Sequence, residues 1–113
     1  MSERAPGIGA LTDRVELARR DMAPLPGGGH EVIYVPLGRA WARVRVLSGR
    51  RGELADGRAV TISHAVVLRW RSDIGPGDRI IYRGEPLDVV SAGDLNGRRA
   101  WLSCACSAGR VIG

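Results

Sequence analysis

The sequence has no lysine and no phenylalanine, and it has only two cysteines and two histidines. The two histidines lie far from Cys104 and Cys106, so the chain lacks the three or four suitably spaced ligands that a structural zinc site needs. We therefore expect no metal and no cofactor. Cysteines two apart on a strand lie about 6.5 to 7 Å apart between α-carbons, which is a poor geometry for a disulfide.

Signatures of catalysis are also missing. The sequence contains no Gly-x-Ser-x-Gly nucleophile turn and no isolated pair of carboxylates in apolar surroundings. The run Gly27-Gly28-Gly29 does not predict a phosphate-binding loop, because no Gly-Lys-Ser/Thr follows it and no helix pattern begins after it. His64 falls in an apolar set, where a core imidazole bonded to backbone is a simpler interpretation than a general base. We expect the protein not to be an enzyme.

Long hydrophobic runs are absent too, since none approaches the roughly 20 residues that cross a bilayer. The first eleven residues do not form a basic-then-apolar signal peptide, so we expect a protein that is cytosolic when made. The net charge is +5, and all 17 basic residues are arginine. The planar guanidinium group of arginine donates paired hydrogen bonds to carboxylates and phosphates, so DNA, RNA or an acidic protein surface could be the partner. A GC-rich genome would also enrich Arg, Gly, Ala and Pro, so the positive charge alone does not establish that the protein binds nucleic acid.

What the sequence does contain favours a mainly β fold. Sixteen glycines and six prolines stand against five aromatic residues, which indicates many turns and short strands. Apolar alternation predicts strands over 13–20, 31–35, 41–47, 60–71, 79–83, 87–91 and 100–106. With no βαβ unit, a single domain forming a small antiparallel β-barrel of about six strands is expected, because closure buries one face and removes sheet edges. Residues 1–10 would be an N-terminal arm and residues 107–113 a tail.

Two intervals do not follow the strand pattern. Residues 21–30 contain Pro24, Pro26 and the glycine run, and they predict a flexible loop. Residues 48–58 begin with a Ser that fits a helix cap and reach a Gly that fits a helix stop. Two further glycines within that interval each cost about 1 kcal/mol relative to Ala in a helix. The interval is predicted to be one short helix or a flexible loop segment, able to change shape.

Five segments follow one another at a particular spacing: Leu11-Thr-Asp-Arg-Val-Glu-Leu17, Trp41-Ala-Arg-Val-Arg-Val-Leu-Ser-Gly49, Ser63-His-Ala-Val-Val-Leu-Arg69, Ile80-Ile-Tyr-Arg-Gly-Glu-Pro-Leu-Asp-Val-Val90 and Trp101-Leu-Ser-Cys104. Together they resemble the phage head-tail joining family, also called head-closure or stopper proteins. The resemblance covers residues 8–106. It implies a protein of a tailed phage, a prophage or a gene transfer agent, located at the head-tail interface of the virion or phage-like particle and assembled in the bacterial cytoplasm.

The resemblance implies a small β-barrel that assembles as a homo-oligomeric ring beneath the portal and its adaptor. Such a ring closes the DNA-filled head and offers a surface to the tail or tail-terminator protein, with no membrane involved. In this family the segment between the second and third barrel strands can line or plug the channel. The corresponding channel or gating residues here are Ser48, Gly49, Arg50, Arg51, Gly52, Glu53 and Arg58. The family often has an acidic residue where this chain has the two adjacent arginines.

The arginines cannot all line such a channel. A ring multiplies each of them by the copy number, and every neutralised phosphate adds affinity for DNA that must slide. We therefore expect Arg50, Arg51 and Arg58 near DNA. The residues expected at the subunit or partner interface are Ile8, Leu11, Trp41, Arg43, Arg45, Arg69 and Arg71. A stand-alone nucleic-acid-binding β-barrel remains the alternative, and its isolated monomer would bind DNA or RNA.

Overall fold

The computed structural model describes residues 11–54 and 56–108, which form six strands and, within those ranges, no helix. The strands are β1 (Asp13–Pro24), β2 (His30–Glu53), β3 (Ala59–Arg69), β4 (Arg79–Tyr82), β5 (Glu85–Leu95) and β6 (Trp101–Ser107). They close into a barrel in the order β1-β2-β3-β6-β5-β4, and each neighbouring pair is antiparallel. The predicted fold class is confirmed. Across the described ranges, no helix is long and apolar enough to span a membrane.

Alternate side chains of every strand meet in one core inside the barrel. The core cluster consists of Val15, Leu17, Ala42, Val66, Leu68, Ile74, Ile80, Leu87, Val89, Leu102, Cys104 and Cys106. Both cysteines are free and buried. Burial raises the pKa of Cys104 to about 12, and burial also raises the pKa of Cys106. The cysteines therefore serve as small apolar core residues.

The first irregular interval is much shorter than the sequence predicts. The expected loop over 21–30 is wrong for most of its length, because β1 continues to Pro24 and β2 already begins at His30. Only residues 25–29 turn, and all three consecutive glycines there adopt positive φ angles. Pro36 lies inside β2 rather than ending a strand. It sits opposite Ala18, where the pairing of β1 and β2 shifts register, and such irregularities tolerate a residue without an N–H.

The second irregular interval was expected to be a short helix or a flexible loop segment, but its described residues form the end of a strand and a tight turn. Arg50 to Glu53 extend β2 and pair with Ala59 to Ile62 of β3. The chain turns between Leu54 and Arg58, where the Leu54 N–H donates to the Arg58 carbonyl at 2.9 Å. Extending an existing ladder satisfies the backbone directly, whereas two turns of glycine-containing helix would be marginally stable.

Two two-stranded ribbons extend beyond the closed part of the barrel. β1 pairs with β4 only from Val15 to Ala18, so beyond this point β1 pairs with β2 alone. We call residues 19–35 the long arm. β3 pairs with β6 only from His64 onward, so its beginning pairs with the end of β2 alone. We call residues 50–62 the short hairpin.

Candidate assembly surfaces

A groove opens where β2 and β3 separate. Ala42 is paired with Leu68, and just beyond this pair the backbone of Trp70 donates to the Ala100 carbonyl at 3.0 Å. This bond holds the continuation of β3 on the side of β6 and away from β2, which leaves a gap between them. The gap, which we call the aromatic groove, is lined by Leu11, Ala40, Trp41, Leu68, Arg69, Trp70, Arg71, Ser72 and Asp73.

The aromatic groove brings together four of the seven residues expected at an interface, namely Leu11, Trp41, Arg69 and Arg71. Trp41 is 52% exposed, an unusual state for so large an apolar side chain. These four residues lie far apart along the chain, so the sequence alone does not show that they meet. The pairing of β2 with β3 and the course of the chain after β3 join them in one depression.

The rim of the aromatic groove is positively charged. The Arg14 guanidinium lies 4.8 Å from the centroid of the Trp41 ring, and that of Arg69 lies 5.6 Å from the Trp101 ring. Arg71 binds Asp73 through two bonds of 2.6 and 2.7 Å, which hold the pKa of the Asp73 carboxyl below its usual value. Among the described residues, Arg14, Arg69 and Arg71 thus stand beside the Asp73 carboxylate at this surface.

Three other residues expected at the interface do not line the groove. Arg43 and Arg45 lie further along β2, directly opposite Val67 and Ala65 of β3. Both make contacts within the molecule. Ile8, like the rest of the expected N-terminal arm, lies outside the described residues.

The expected channel residues lie on the end of β2 and at the following turn. Arg50 is paired with Ile62, and Arg51 with Thr61. Because successive side chains on a strand point to opposite faces, the two exposed arginines face away from each other. Ser48 and Gly49 lie where the pairing shifts between Val46 and Arg50.

Arg58 lies across the turn from these residues and is paired with Asp56. Its Nε atom is 2.7 Å from a carboxylate oxygen, and both side chains are about half exposed. The Asp56 carboxylate also accepts from the Arg58 backbone N–H at 3.1 Å, and these bonds to Arg58 lower the pKa of Asp56. Asp56 therefore offsets much of the positive charge that Arg58 brings to the turn.

Gly52 has a packing role that the sequence did not indicate. A β-carbon added there would lie 2.8 Å from Cδ1 and 2.9 Å from Cγ1 of Ile62, closer than two carbon atoms can approach. A larger residue at position 52 would therefore force the buried Ile62 side chain to shift. From the sequence alone, a glycine in this interval indicated flexibility.

The long arm is a surface that the sequence analysis missed. Within the described ranges, six large hydrophobic side chains are exposed, and four of them belong to this arm: Met22, Leu25, Val32 and Ile33. The remaining two are Trp41 and Val46. The β-branched run of Val32, Ile33 and Val35 was the signal available in the sequence, but the prolines and glycines on either side obscured its partner strand.

The long arm also carries carboxylates beside its apolar side chains. Asp21 is directly opposite Ile33 in the register of β1 and β2. Glu31 precedes Ile33 by two positions on the same strand and therefore shares its face. Arg19 approaches Asp21 at 3.8 Å, with both side chains about half exposed, so this pair contributes little.

Comparison with known proteins identifies the family. The model of the phage head completion protein family matches residues 7–109. No curated protein matches the sequence. Among solved structures, a chain of the native gene transfer agent virion has 20% sequence identity and a TM-score of 0.65, and the match covers 90% of this chain and 97% of that one. Protein SF1141 from Shigella flexneri 2a has 23% identity and a TM-score of 0.67, with coverage of 92% and 97%.

At these identities the two solved structures support the fold. The family model, which extends over nearly the whole chain, confirms the resemblance that the sequence segments indicated. The chain belongs to the phage head completion protein family and is a structural protein of a phage or phage-like virion.

Proposed function

We propose that this protein forms a homo-oligomeric ring between the portal or its adaptor and the tail of a phage-like particle. The ring closes the DNA-filled head and provides the surface to which the tail attaches. The protein acts as a structural connector, without catalysis and without a metal or cofactor. The observation that carries this proposal is the match of residues 7–109 to the phage head completion family.

The closed barrel restricts how such a ring can be built. Closure removes most free strand edges, which are the usual sites of sheet-to-sheet association. The edge of β2 beyond the start of β1 is partly capped, since the Val44 N–H donates to the Asp13 carboxylate at 2.8 Å. On the barrel itself, assembly therefore depends on side-chain surfaces, and the aromatic groove with Leu11, Trp41, Arg69 and Arg71 is the subunit interface in this proposal. Arg43 and Arg45 then face neighbouring or partner proteins.

The short hairpin is the element that approaches DNA in this proposal. Its three arginines at positions 50, 51 and 58 stand against Glu53 and Asp56, which leaves a net charge of about one positive per copy. Arg51 is paired with the exposed Thr61 and lies on the open face of the hairpin, whereas the exposed Arg50 shares its face with the buried Ile62. So small a charge per copy suits a channel in which DNA is retained and can still slide.

Deletion of the gene from the producing phage or cell tests the proposal. Heads should still package DNA, but they should then lose it or fail to join tails, and expression of the wild-type chain from a plasmid should restore complete particles. Electron microscopy of the particles and the nuclease-protected DNA per head provide the two measurements. Complete, DNA-retaining particles from the deletion strain would contradict the proposed function.

A further inference from the structure

We propose that the long arm of one copy inserts into the aromatic groove of the next copy, so that the ring is held by a head-to-tail contact between identical chains. This inference rests on the proposed ring. It assigns one surface of the chain as the inserted element and another as its receptor.

The long arm cannot bury its own apolar side chains. Met22 is directly opposite Val32 on one face of the ribbon, and Ile33 lies on the other face. Beyond Arg20 and Tyr34, which lie beside the barrel, only two strands form this part of the described structure, so neither face there has a core to pack against. Exposed apolar side chains concentrated in one ribbon, on both of its faces, are typical of an interaction site.

The aromatic groove offers the matching surface at the far end of the same ribbon. The start of β1 pairs with Ala42 beside the groove, and its last residue, Pro24, pairs with His30 near the tip of the arm. β1 has 12 residues, which correspond to about 35 to 40 Å along the strand. The arm of one copy therefore points away from its own groove, and only another copy can bring the two surfaces together.

Charge favours the same pairing. On the arm, Ile33 is flanked by Asp21 and Glu31, whereas Arg14 and Arg69 lie beside the exposed rings of the groove. On the Ile33 face of the arm, Asp21 and Glu31 stand beside the single Arg19, which leaves one net negative charge opposite an aromatic and basic depression. Such complementarity sets the orientation and register of an interface.

A second copy explains both exposed surfaces at once. Each chain has one arm and one aromatic groove, located on different parts of its surface, so the contact is heterologous. Heterologous contacts form rings when the rotation between subunits closes. In a closed ring every arm is buried and every groove is filled, whereas a different partner protein on the groove would leave the apolar arm uncovered.

Cysteine cross-linking in purified particles tests the contact directly. Met22→Cys on the arm and Ser72→Cys in the groove are combined in one chain and treated with a short bismaleimide, and Cys104 and Cys106 are protected by burial. Denaturing gels should show a ladder of covalent multimers for the double variant and no ladder for either single variant. A matched control joins Ser72→Cys to Glu85→Cys, which is exposed at the start of β5 and does not belong to the long arm, and it should give no ladder.

The outcomes separate this inference from the proposed function. If particles contain the double variant but yield no multimers, the arm contact is wrong and the proposed ring is unaffected. A cross-link within one chain, or to a different particle protein, would have the same meaning. Absence of even the wild-type chain from purified particles would overturn the proposed function itself.

Charge exchange gives a second test that does not depend on cysteine reactivity. Glu31→Arg and Arg69→Glu should each lower the number of copies per particle several-fold, and the double exchange should restore it. Melting temperatures of the purified variants establish that each one folds. Folded single variants that enter particles at the wild-type level would contradict the contact.

Discussion

The backbone N–H of Arg20 donates to the Asp78 carboxylate at 2.9 Å across 58 positions of sequence. The other oxygen of this carboxylate accepts from the Gly75 N–H at 2.8 Å. Backbone pairing between β1 and β4 ends at Ala18 and Arg79, so the Asp78 side chain extends the connection by one further bond. It fixes the point at which the long arm leaves the barrel.

Replacing Asp78 should therefore destabilise the fold. Asp78→Ala removes the acceptor of two backbone N–H groups in a side chain that is 9% exposed, and we expect the free energy of unfolding to fall by about 2 to 4 kcal/mol. Urea unfolding followed by tryptophan fluorescence measures the change. Asp94→Ala is the matched control, because Asp94 caps the Arg99 N–H in an exposed turn and should cost less than about 1 kcal/mol. Equal losses for the two variants would contradict the structural role of Asp78.

The packing at Gly52 predicts an asymmetry between two glycines in strands. Gly52→Ala should lower the free energy of unfolding by about 1 to 3 kcal/mol, because the new methyl group overlaps Ile62. Gly93→Ala, in β5, meets no atom within 4 Å and should be neutral or slightly stabilising. Shortening the obstructing side chain with Ile62→Val should recover part of the Gly52→Ala loss. A double-mutant cycle measures this coupling, and additive effects would show that the two side chains do not interact.

The alternation of apolar residues predicted the barrel core correctly, but the sequence did not reveal the pairing that creates the surfaces. Val66 and Leu68 follow a period of two, as expected for a strand with one face in the core, but Val67 on the opposite face is buried as well. Pro24 is the last residue of β1, and Pro36 lies in β2 where the pairing with β1 shifts register. Both positions tolerate a residue without a backbone N–H. Such positions depend on the partner strand, which local sequence does not specify.

The same limitation applies to the candidate surfaces. Leu11 and Trp41 were expected at an interface, yet their meeting with Arg69 in one groove depends on where β3 leaves β2. Arg50 and Arg51 were expected to act together near DNA. Their opposite orientation follows once residues 48–53 are known to be a strand rather than a helix.

Burial of the two thiols predicts that they do not react in the folded protein. The pKa of Cys104 is raised to about 12 and that of Cys106 is raised as well, so almost no thiolate exists at pH 8. Ellman's reagent should detect no fast-reacting thiol in the native protein and two per chain in guanidinium chloride. Rapid reaction of either cysteine under native conditions would contradict the closed barrel around β6 and would require their replacement before the cross-linking test.

The proposed location of the short hairpin near DNA predicts that reversing its charge weakens DNA retention without preventing assembly. Particles carrying Arg50→Glu and Arg51→Glu together should contain the normal number of copies, because neither side chain lies in the aromatic groove or on the long arm. They should lose DNA faster, since each copy then repels the phosphates that it formerly attracted. Nuclease-accessible DNA measured over time compares them with a matched double variant, Arg83→Glu and Arg98→Glu, on exposed turns elsewhere in the barrel. Equal DNA retention by the two double variants would contradict the proposal that the short hairpin lies in the channel.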